Sequence, residues 1–312
     1  MTNKVVTITL NPALDLTGSL DVLNQGSVSL VNSSNLHAAG KGVNVAKVLS
    51  DLGAQVTVTG FLGADNPEMF QYLFGTIGAT DRFVQVKGAT RINVKLVESN
   101  GTVSDINFPG ITVNESDIAL FESVLEELSQ NHDYFVFAGS LPNGLSPERC
   151  AKWIKTLNAK GKKVLFDSSR DALKVGLDAS PWLIKPNDEE LSQLLNTPVN
   201  NEADCQSAAK QLADKDIDNI VISMGAKGVM WLHDNEWYAA TPPKMDVVST
   251  VGAGDTLVAG LCWGHMQAME KSNLLSFATA LSALAVTQVG VGVNNINQVE
   301  NLQNKINIRR LS

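Results

Sequence analysis

The chain has 312 residues, enough for one large α/β domain or two ordinary ones, and its 44% hydrophobic and 18% charged residues are typical of globular proteins. A formal net charge of −8 argues against nucleic-acid binding, although a small phosphorylated ligand needs only a few local cations. No run of about 18–20 apolar residues indicates a membrane span. The sequence opens on a strand pattern without the apolar stretch of a signal peptide. The three cysteines are odd in number and far apart, so we expect reduced thiols in a cytoplasmic protein.

Short β-branched runs alternate with helical stretches, which predicts βαβ units around a mostly parallel sheet. In chain order, the predicted strands cover residues 5–10, 56–60, 134–138, 163–167, 182–185 and 219–223. Predicted helices follow the Lys41-Gly42 pair and cover residues 115–129, 147–159, 257–266 and 274–289. We therefore expect one α/β domain spanning residues 1–312.

Two stretches interrupt this alternation, at about residues 13–36 and about residues 86–110, where strand-like sequence is combined with turn residues such as Asn100-Gly101. We expect these two stretches to form a small sheet outside the main body, which we call the lid. In the second stretch, period-two alternation places Arg91, Asn93 and Lys95 on one strand face. That face is either simply solvated or, through Arg91, a clamp for a phosphate.

The segment Gly252-Ala253-Gly254-Asp255 lies where an extended stretch gives way to an apolar helix. A helix N-terminus exposes unpaired N–H groups and the positive end of the helix dipole, so it attracts anions. The two glycines let the backbone approach a phosphoryl group closely. Asp255 can accept a proton from a hydroxyl that attacks this phosphate, or it can simply cap the helix.

Polar residues also follow the first predicted strand and begin the first predicted helix. Asp15 closes the loop after the first strand, where open α/β sheets bind ligands, and the alternative is an Asp in a Pro-containing turn. Gly40, Lys41 and Asn44 stand at the helix entry, with Lys41 available to a phosphate. The Gly40-Lys41 stretch lacks the spacing of a P-loop, and no Gly-x-Gly-x-x-Gly follows the first strand, which disfavours a nicotinamide dehydrogenase.

Two further stretches point to a nucleotide. Lys185 precedes a helix start with Asn187 and Glu190 one turn apart. Such oxygen ligands suit a Mg²⁺ held largely through water near phosphates, although acidic residues also favour any helix start. A tight turn from Ser223 to Gly228, with Gly225 inside it, borders either a nucleotide or nothing more than solvent.

Taken in order, these motifs resemble the ribokinase-like (phosphofructokinase-B type) family of carbohydrate kinases. The resemblance spans nearly the whole chain, and within the family it is strongest to the bacterial branch that phosphorylates fructose 1-phosphate. It rests on the following motifs: Asn11-Pro-Ala-Leu-Asp15, Gly40-Lys-Gly-Val-Asn44, Arg91-Ile-Asn-Val-Lys95, Gly139-Ser140-Leu-Pro142, Lys185-Pro-Asn187, Ser223 to Gly228 and Asp246 to Asp255.

The resemblance implies a three-layer α/β/α fold with a mostly parallel sheet and a small β-sheet lid, which often forms a homodimer contact. It implies an ATP- and Mg²⁺-dependent sugar-phosphate kinase of fructose metabolism. The implied catalytic base is Asp255, and the amides of Gly252, Ala253 and Gly254 form the anion hole for the transferred phosphoryl group.

The implied substrate and nucleotide contacts come from the remaining motifs. Sugar hydroxyls are held by Asp15, Gly40 and Asn44, and the substrate's phosphate by Lys41 and Arg91 with Ser140. The nucleotide lies against Lys185, Asn187, Ser223, Gly225, Gly228 and Gly254, with Asn187 and Glu190 organising Mg²⁺ through water.

Three alternatives remain at this point. The acceptor can be tagatose 6-phosphate or fructose 6-phosphate, since both carry a phosphate at the end of the sugar opposite the reacting hydroxyl. The chain can also be a sugar-phosphate sensor on a kinase fold, because fold does not imply function. An intact Asp255 argues against the sensor, since a binding protein needs no base there.

Overall fold

The computed structural model describes residues 3–311, so the ends of the predicted domain, Met1, Thr2 and Ser312, lie outside the described residues. The strands are β1 Lys4–Thr9, β2 Ala13–Leu20, β3 Ser33–Ala39, β4 Gln55–Gly63, β5 Thr80–Asp81, β6 Val84–Val86, β7 Ile92–Glu98, β8 Val103–Ile106, β9 Tyr134–Ala138, β10 Lys163–Asp167, β11 Leu183–Ile184, β12 Asn219–Ser223, β13 Val229–His233, β14 Glu236–Thr241 and β15 Asn307–Leu311. The helices are α1 Lys41–Asp51, α2 Glu68–Thr76, α3 Glu115–Ser129, α4 Pro147–Ala159, α5 Arg170–Gly176, α6 Asp188–Leu195, α7 Glu202–Ala213, α8 Ala253–Met266, α9 Lys271–Ala285 and α10 Ile296–Gln303.

The main sheet runs in the order β15-β14-β13-β12-β11-β10-β9-β1-β4-β5, with β6 continuing the pairing along β4. Pairing is parallel from β12 to β5 and antiparallel from β12 to β15. The predicted mostly parallel sheet is therefore confirmed, with an antiparallel extension at one edge.

Strand β9 shows why the body has three layers. All five of its residues are buried, and successive side chains point to opposite faces of the sheet. Phe135 and Phe137 pack with the core under α3 to α7, whereas Val136 and Ala138 pack with the core under α1, α2 and α8 to α10. A strand that is apolar on both faces needs helices on both sides, which gives the α/β/α arrangement.

Several predicted boundaries were wrong. The strands predicted at 5–10 and 56–60 cover Lys4–Thr9 and Gln55–Gly63, and the helix predicted at 257–266 already begins at Ala253. The strand predicted at 182–185 covers only Leu183–Ile184. It ends there because Lys185 and Pro186 leave the ladder, and proline has no N–H to donate. The helix predicted at 274–289 runs from Lys271 to Ala285. It begins early because the Glu270 carboxylate caps it, and it ends early because the Val286 carbonyl accepts hydrogen bonds from residues 248 and 249.

The lid is a separate four-stranded sheet in the order β3-β2-β7-β8. Its strands come from both stretches that interrupt the βαβ alternation. Strand β7 pairs with β2 in parallel, which sets Asn93 directly across from Asp15. Alternate positions give the lid an apolar face with Val94 and Ile106 and a polar face with Asp15 and Asn93. Within residues 3–311, no helix is both long and apolar enough to cross a membrane.

Candidate active site

Polar side chains gather where the central parallel strands end and helices α1 and α8 begin. Asp167 is the last residue of β10, and Lys185 directly follows β11. Asn44 lies in the first turn of α1 and Asp255 in the first turn of α8. The carboxyl ends of parallel strands share one edge of the sheet, and this edge is the usual ligand-binding crevice of open α/β folds.

Helix α8 begins with a backbone arrangement suited to an anion. Gly252 is its N-cap residue with φ of 80°, a left-handed conformation that favours glycine. A Cβ atom at Gly252 would lie 2.2 Å from Cγ2 of Val291, so the loop also has no room for a side chain there. Residues 252–254 are partly exposed, and a helix start leaves the N–H groups of its first turn without intrahelical acceptors. The N–H of Ala253 makes only a long bond of 3.4 Å to the Thr250 carbonyl, which leaves this helix start open to a phosphoryl oxygen.

Asp255 lies in the first turn of α8 and does not cap that helix. No side-chain capping bond is made at the start of α8. Instead, Oδ2 of Asp255 accepts a hydrogen bond of 2.7 Å from Nδ2 of Asn44, which lies 211 positions earlier in the chain. Of the two interpretations that the sequence leaves open for Asp255, the simple cap is therefore excluded.

The Asp255 carboxyl is buried, and its surroundings favour the protonated form. Burial raises its pKa to about 6, helped by the negative charge of Asp167 and opposed by the hydrogen bond from Asn44 and the charges of Lys41 and Lys185. A carboxylate with a pKa near neutrality accepts a proton more readily than an ordinary aspartate does.

Asp167 is a buried carboxylate that joins two lysines. Its Oδ2 lies 3.4 Å from Nζ of Lys41, and its Oδ1 lies 3.5 Å from Nζ of Lys185. Lys185 is buried as well, and a Cβ atom on Gly254 would lie 3.6 Å from its Nζ. Burial lowers the pKa of Lys41, but the charges of Asp167, Asp255 and Glu190 outweigh it and the net pKa is raised. Lys41 is thus charged, and both lysines lie near the start of α8.

Arg91 is held by backbone carbonyls. Its Nε donates to the Pro12 carbonyl at 3.3 Å, its Nη2 to the Asn11 carbonyl at 3.0 Å and its Nη1 to the Phe108 carbonyl at 3.2 Å. Burial lowers the pKa of Arg91, opposed by the charge of Asp15. A guanidinium has five N–H donors, so two remain for a ligand.

Ser140 lies near the same loop. The Asn11 side chain donates from Nδ2 to Oγ of Ser140 at 3.1 Å, and Asn11 Oδ1 is a buried oxygen without a hydrogen-bond partner in the described residues. Gly139, next to Ser140, contacts the base of Lys41, since a Cβ atom there would lie 3.8 Å from Cβ of Lys41. Ser140 and its neighbours therefore connect the Arg91 side of the site with the Lys41 side.

The predicted grouping of Lys41 with Arg91 does not appear as a contact. The ion-pair partner of Lys41 is Asp167, the last residue of β10, whereas Arg91 donates to carbonyls of the β1–β2 loop. The site therefore has two ends, a phosphoryl end around Asp255 and Asp167 and a lid end around Asp15 and Arg91.

Asn187 and Glu190 form a capping box at the start of α6. The Asn187 side chain accepts from the Glu190 N–H at 2.7 Å, and Glu190 Oε2 accepts from the Asn187 N–H at 3.0 Å. The second oxygen of Glu190 is left for water. Residues 3–311 contain no group of three or more His, Cys, Asp or Glu side chains arranged to hold a metal. This donor set fits a Mg²⁺ held mainly by water and phosphates, and does not fit a closed protein cage.

The turn from Ser223 to Gly228 lies next to this capping box. Ser223 donates its N–H to the Pro186 carbonyl and forms a bridge with Asn187, and residues 225–227 form one turn of 3₁₀ helix. A Cβ atom on Gly228 would lie 2.0 Å from the Ala240 carbonyl oxygen, so this glycine is required by the fold itself. Gly40 is similar, since its φ is 134° and a Cβ would lie 2.8 Å from Cγ2 of Thr9.

Sequence reasoning did not single out Asp167, Asn11 or Asn93 as members of the site. Asp167 is the last residue of a correctly predicted strand, and the rule that draws attention to Asp15 applies equally to it. Asn11 opens the motif that ends at Asp15, and strand alternation places Asn93 on the face of Arg91, but their hydrogen-bond partners lie 129 and 78 positions away and no local pattern indicates those contacts.

Comparison with known proteins agrees with this geometry. The family model described as pfkB family carbohydrate kinase matches residues 4–298. The chain belongs to this family.

Curated relatives within the pfkB family cover the whole chain. The 1-phosphofructokinase of Vibrio cholerae is 70% identical over 311 residues, which are 100% of this chain and 98% of the relative. The 1-phosphofructokinase of Escherichia coli is 45% identical, with 99% of each chain covered. The sequence-based prediction of a phosphofructokinase-B type kinase similar to the bacterial 1-phosphofructokinases is confirmed.

A solved structure supports the fold. Phosphofructokinase-2 from Escherichia coli, in complex with substrates and products, matches with a TM-score of 0.89 at 24% identity, covering 96% of this chain and 98% of that one. The fold of this chain is therefore shared with that solved structure.

Proposed function

We propose that the chain is a 1-phosphofructokinase, which transfers the γ-phosphoryl group of ATP to the C6 hydroxyl of fructose 1-phosphate and yields fructose 1,6-bisphosphate and ADP. The observation that carries the proposal is the Asp255 carboxyl, which is buried, does not cap its helix and lies at the anion-binding start of α8. The 70% identity with the Vibrio cholerae enzyme supports fructose 1-phosphate as the acceptor.

In the proposed reaction, Asp255 removes the proton of the C6 hydroxyl. The hydroxyl oxygen forms a bond to the γ-phosphorus, the bond from that phosphorus to the bridging oxygen of ADP breaks, and the proton remains on Asp255. Asn44 fixes the carboxylate through the bond of 2.7 Å. The N–H groups of Gly252, Ala253 and Gly254 bind the oxygens on which negative charge develops.

The lysines supply positive charge at the phosphoryl end. Lys185 lies beside Gly254, and we assign it to the phosphates of ATP. Lys41 shares Asp167 with Lys185, so we assign Lys41 to the migrating phosphoryl group. This differs from the role that the resemblance implies for Lys41, a grip on the existing sugar phosphate.

The lid end selects the sugar phosphate. We assign the C1 phosphate to the two free N–H donors of Arg91, with Ser140 beside it, and the sugar hydroxyls to Asp15, Asn44 and the backbone of Gly40. Arg91 is fixed by three carbonyls before substrate binds, which lowers the entropic cost of holding an anion.

The nucleotide side comprises the 223–228 turn, with Ser223, Gly225 and Gly228, and the neighbouring capping box. Asn187 and Glu190 hold Mg²⁺ through water, and Mg²⁺ when bound neutralises phosphate charge. Protein residues alone do not form a metal cage within 3–311, in keeping with a metal that arrives with ATP.

We further propose a cytoplasmic homodimer in which residues 1–312 act as one kinase domain. The lid has three exposed apolar residues, Ile92, Val103 and Ile106, and contact with the lid of a second copy would bury them.

The test is ADP release from the purified chain with Mg-ATP and, in parallel, fructose 1-phosphate, fructose 6-phosphate or tagatose 6-phosphate. We expect kcat/KM to favour fructose 1-phosphate by tenfold or more, about 1.4 kcal/mol of transition-state preference. A preference for either 6-phosphate would contradict the substrate assignment and keep the chemistry. No ADP with any of the three would favour a sugar-phosphate sensor.

A further inference from the structure

Asn93 lies on lid strand β7, directly across the parallel pair from Asp15 of β2. Its Nδ2 donates to Oδ1 of Asp15 at 3.2 Å. This bond orients one carboxylate oxygen and leaves the other free for a ligand. On the opposite side of Asp15, strand β3 places His37 across from it.

The other end of the Asn93 amide fixes a second segment. Its Oδ1 accepts from the N–H of Phe108 at 3.2 Å, and the carbonyl of Phe108 accepts from Nη1 of Arg91 at 3.2 Å. The Phe108 side chain is 48% exposed, so burial of its ring holds this segment only weakly. Hydrogen bonds to Asn93 and Arg91 therefore set its position.

Asn93 and the backbone of Phe108 thus form a continuous connection between Asp15 and Arg91. The orientation of the amide is determined by its partners, because the NH₂ must face the carboxylate and the oxygen must face the N–H. One side chain therefore sets the position of a carboxylate and, through one residue of backbone, that of a guanidinium.

We propose that Asn93 is a positioning residue that sets the spacing between Asp15 and Arg91 and so fits the lid to a sugar that carries hydroxyls and a phosphate. This inference rests on the proposed function, in which Asp15 holds hydroxyls and Arg91 holds the phosphate. Asn93 itself is satisfied by Asp15 and Phe108 and acts through its neighbours.

The decisive variant is Asn93→Asp, which keeps the shape and replaces the NH₂ donor with an oxygen. Two carboxylates then face each other at the Asp15 position, and their repulsion moves Asp15 away from its ligand orientation. Asn93→Ala removes both hydrogen bonds without adding charge and covers the case in which Asn93→Asp folds poorly.

The matched control is Asn35→Asp. Asn35 is exposed on the neighbouring lid strand β3, across from Thr17, so the same chemical change occurs in the same sheet, two residue pairs further along from Asp15 and without the hydrogen bond to its carboxylate. We expect Asn93→Asp to raise KM for fructose 1-phosphate by about tenfold or more with KM for ATP within about twofold, the size of a lost charge-assisted hydrogen bond. The control should leave both KM values within about twofold of wild type.

A swap variant separates positioning from a purely structural bond. In Asp15→Asn combined with Asn93→Asp, the donor and acceptor exchange strands and the pair can form again. We expect thermal stability to recover relative to Asn93→Asp, while KM for fructose 1-phosphate stays high because the carboxylate stands on the wrong strand. Recovery of both quantities would overturn the inference.

The inference is also overturned if Asn93→Asp and Asn35→Asp have the same KM for fructose 1-phosphate, or if both KM values of Asn93→Asp rise together. In either of those outcomes, the proposed function still stands if the wild-type enzyme is active. A wild-type chain that is inactive with all three sugar phosphates would overturn the proposed function and this inference with it.

Discussion

Residues in the body of this molecule are more deeply buried than residues in its lid. In the body, Phe135 and Val136 are completely buried, and Asp255 at the start of α8 is only 7% exposed. In the lid, no residue of β7 is buried and the neighbouring β8 is largely exposed. Chemistry that depends on a raised pKa requires a dry, rigid surrounding, whereas selection of a polar substrate is possible on a partly solvated sheet.

The difference in burial predicts that the two regions control different kinetic constants. Changes at the phosphoryl end should act mainly on kcat, and changes at the lid end mainly on KM for the sugar phosphate. The following predictions test that division.

The largest effect is expected for Asp255→Asn. Without the carboxylate, no group accepts the C6 hydroxyl proton, and kcat should fall by about 10³-fold or more, within the range known for general bases. KM for both substrates should change little. Steady-state ADP release measures this, and turnover within tenfold of wild type would show that Asp255 is not the base.

Arg91→Lys should mainly affect the lid end. Lysine keeps the positive charge but cannot donate to three carbonyls and a phosphate at once, so KM for fructose 1-phosphate should rise by about 10- to 100-fold. Initial rates at saturating ATP and varied sugar phosphate give this constant. A rise confined to KM for ATP would show that Arg91 acts on ATP and not on the sugar phosphate.

Asp167→Asn should mainly affect the phosphoryl end. Lys41 and the buried Lys185 lose their shared counter-ion, and kcat should fall by about tenfold, equivalent to about 1.4 kcal/mol. Since the charge of Asp167 helps to raise the pKa of Asp255, that pKa should fall and the acid limb of the kcat profile should move to lower pH. An unmoved limb would mean that Asp167 does not act on Asp255.

A smaller effect concerns stability. The pKa of Asp255 is raised to about 6 in the fold, so the folded state holds the proton more tightly than the unfolded state and loses stability as pH rises from about 4 to about 6. Asp255→Asn removes this penalty and should stabilise the protein by up to about 3 kcal/mol at pH 8, with the gain vanishing near pH 4. Urea unfolding at both pH values measures it, and an equal gain at both would contradict the buried-charge explanation.

Local signals were enough to predict much of the body. Helix α3 has a capping box at Asn114, helix α4 has Ser146 before Pro147, and both helices begin and end where the sequence predicts. Strands β9, β10 and β12 are five residues long with apolar centres, and they also match. These elements carry their boundaries within a few neighbouring residues.

The partners within the site were not predictable in the same way. Asn44 meets Asp255 across 211 positions, and Lys41 meets Asp167 across 126. Such contacts depend on the order in which strands enter the sheet, which no local pattern contains. The motif at 252–255 was still recognisable, because Gly252 has a left-handed backbone conformation that favours glycine at the site itself. The roles assigned to the individual site residues remain predictions.

Binding measured without turnover is the most direct test of the division between lid and body. Calorimetric titration of fructose 1-phosphate into Asp255→Asn, alone and combined with Arg91→Lys, separates the two regions. The single variant should bind the sugar phosphate with an affinity within about threefold of wild type, and the combined variant at least about tenfold more weakly, a difference of about 1.4 kcal/mol. A large loss of affinity in Asp255→Asn alone, or no further loss on adding Arg91→Lys, would contradict the account.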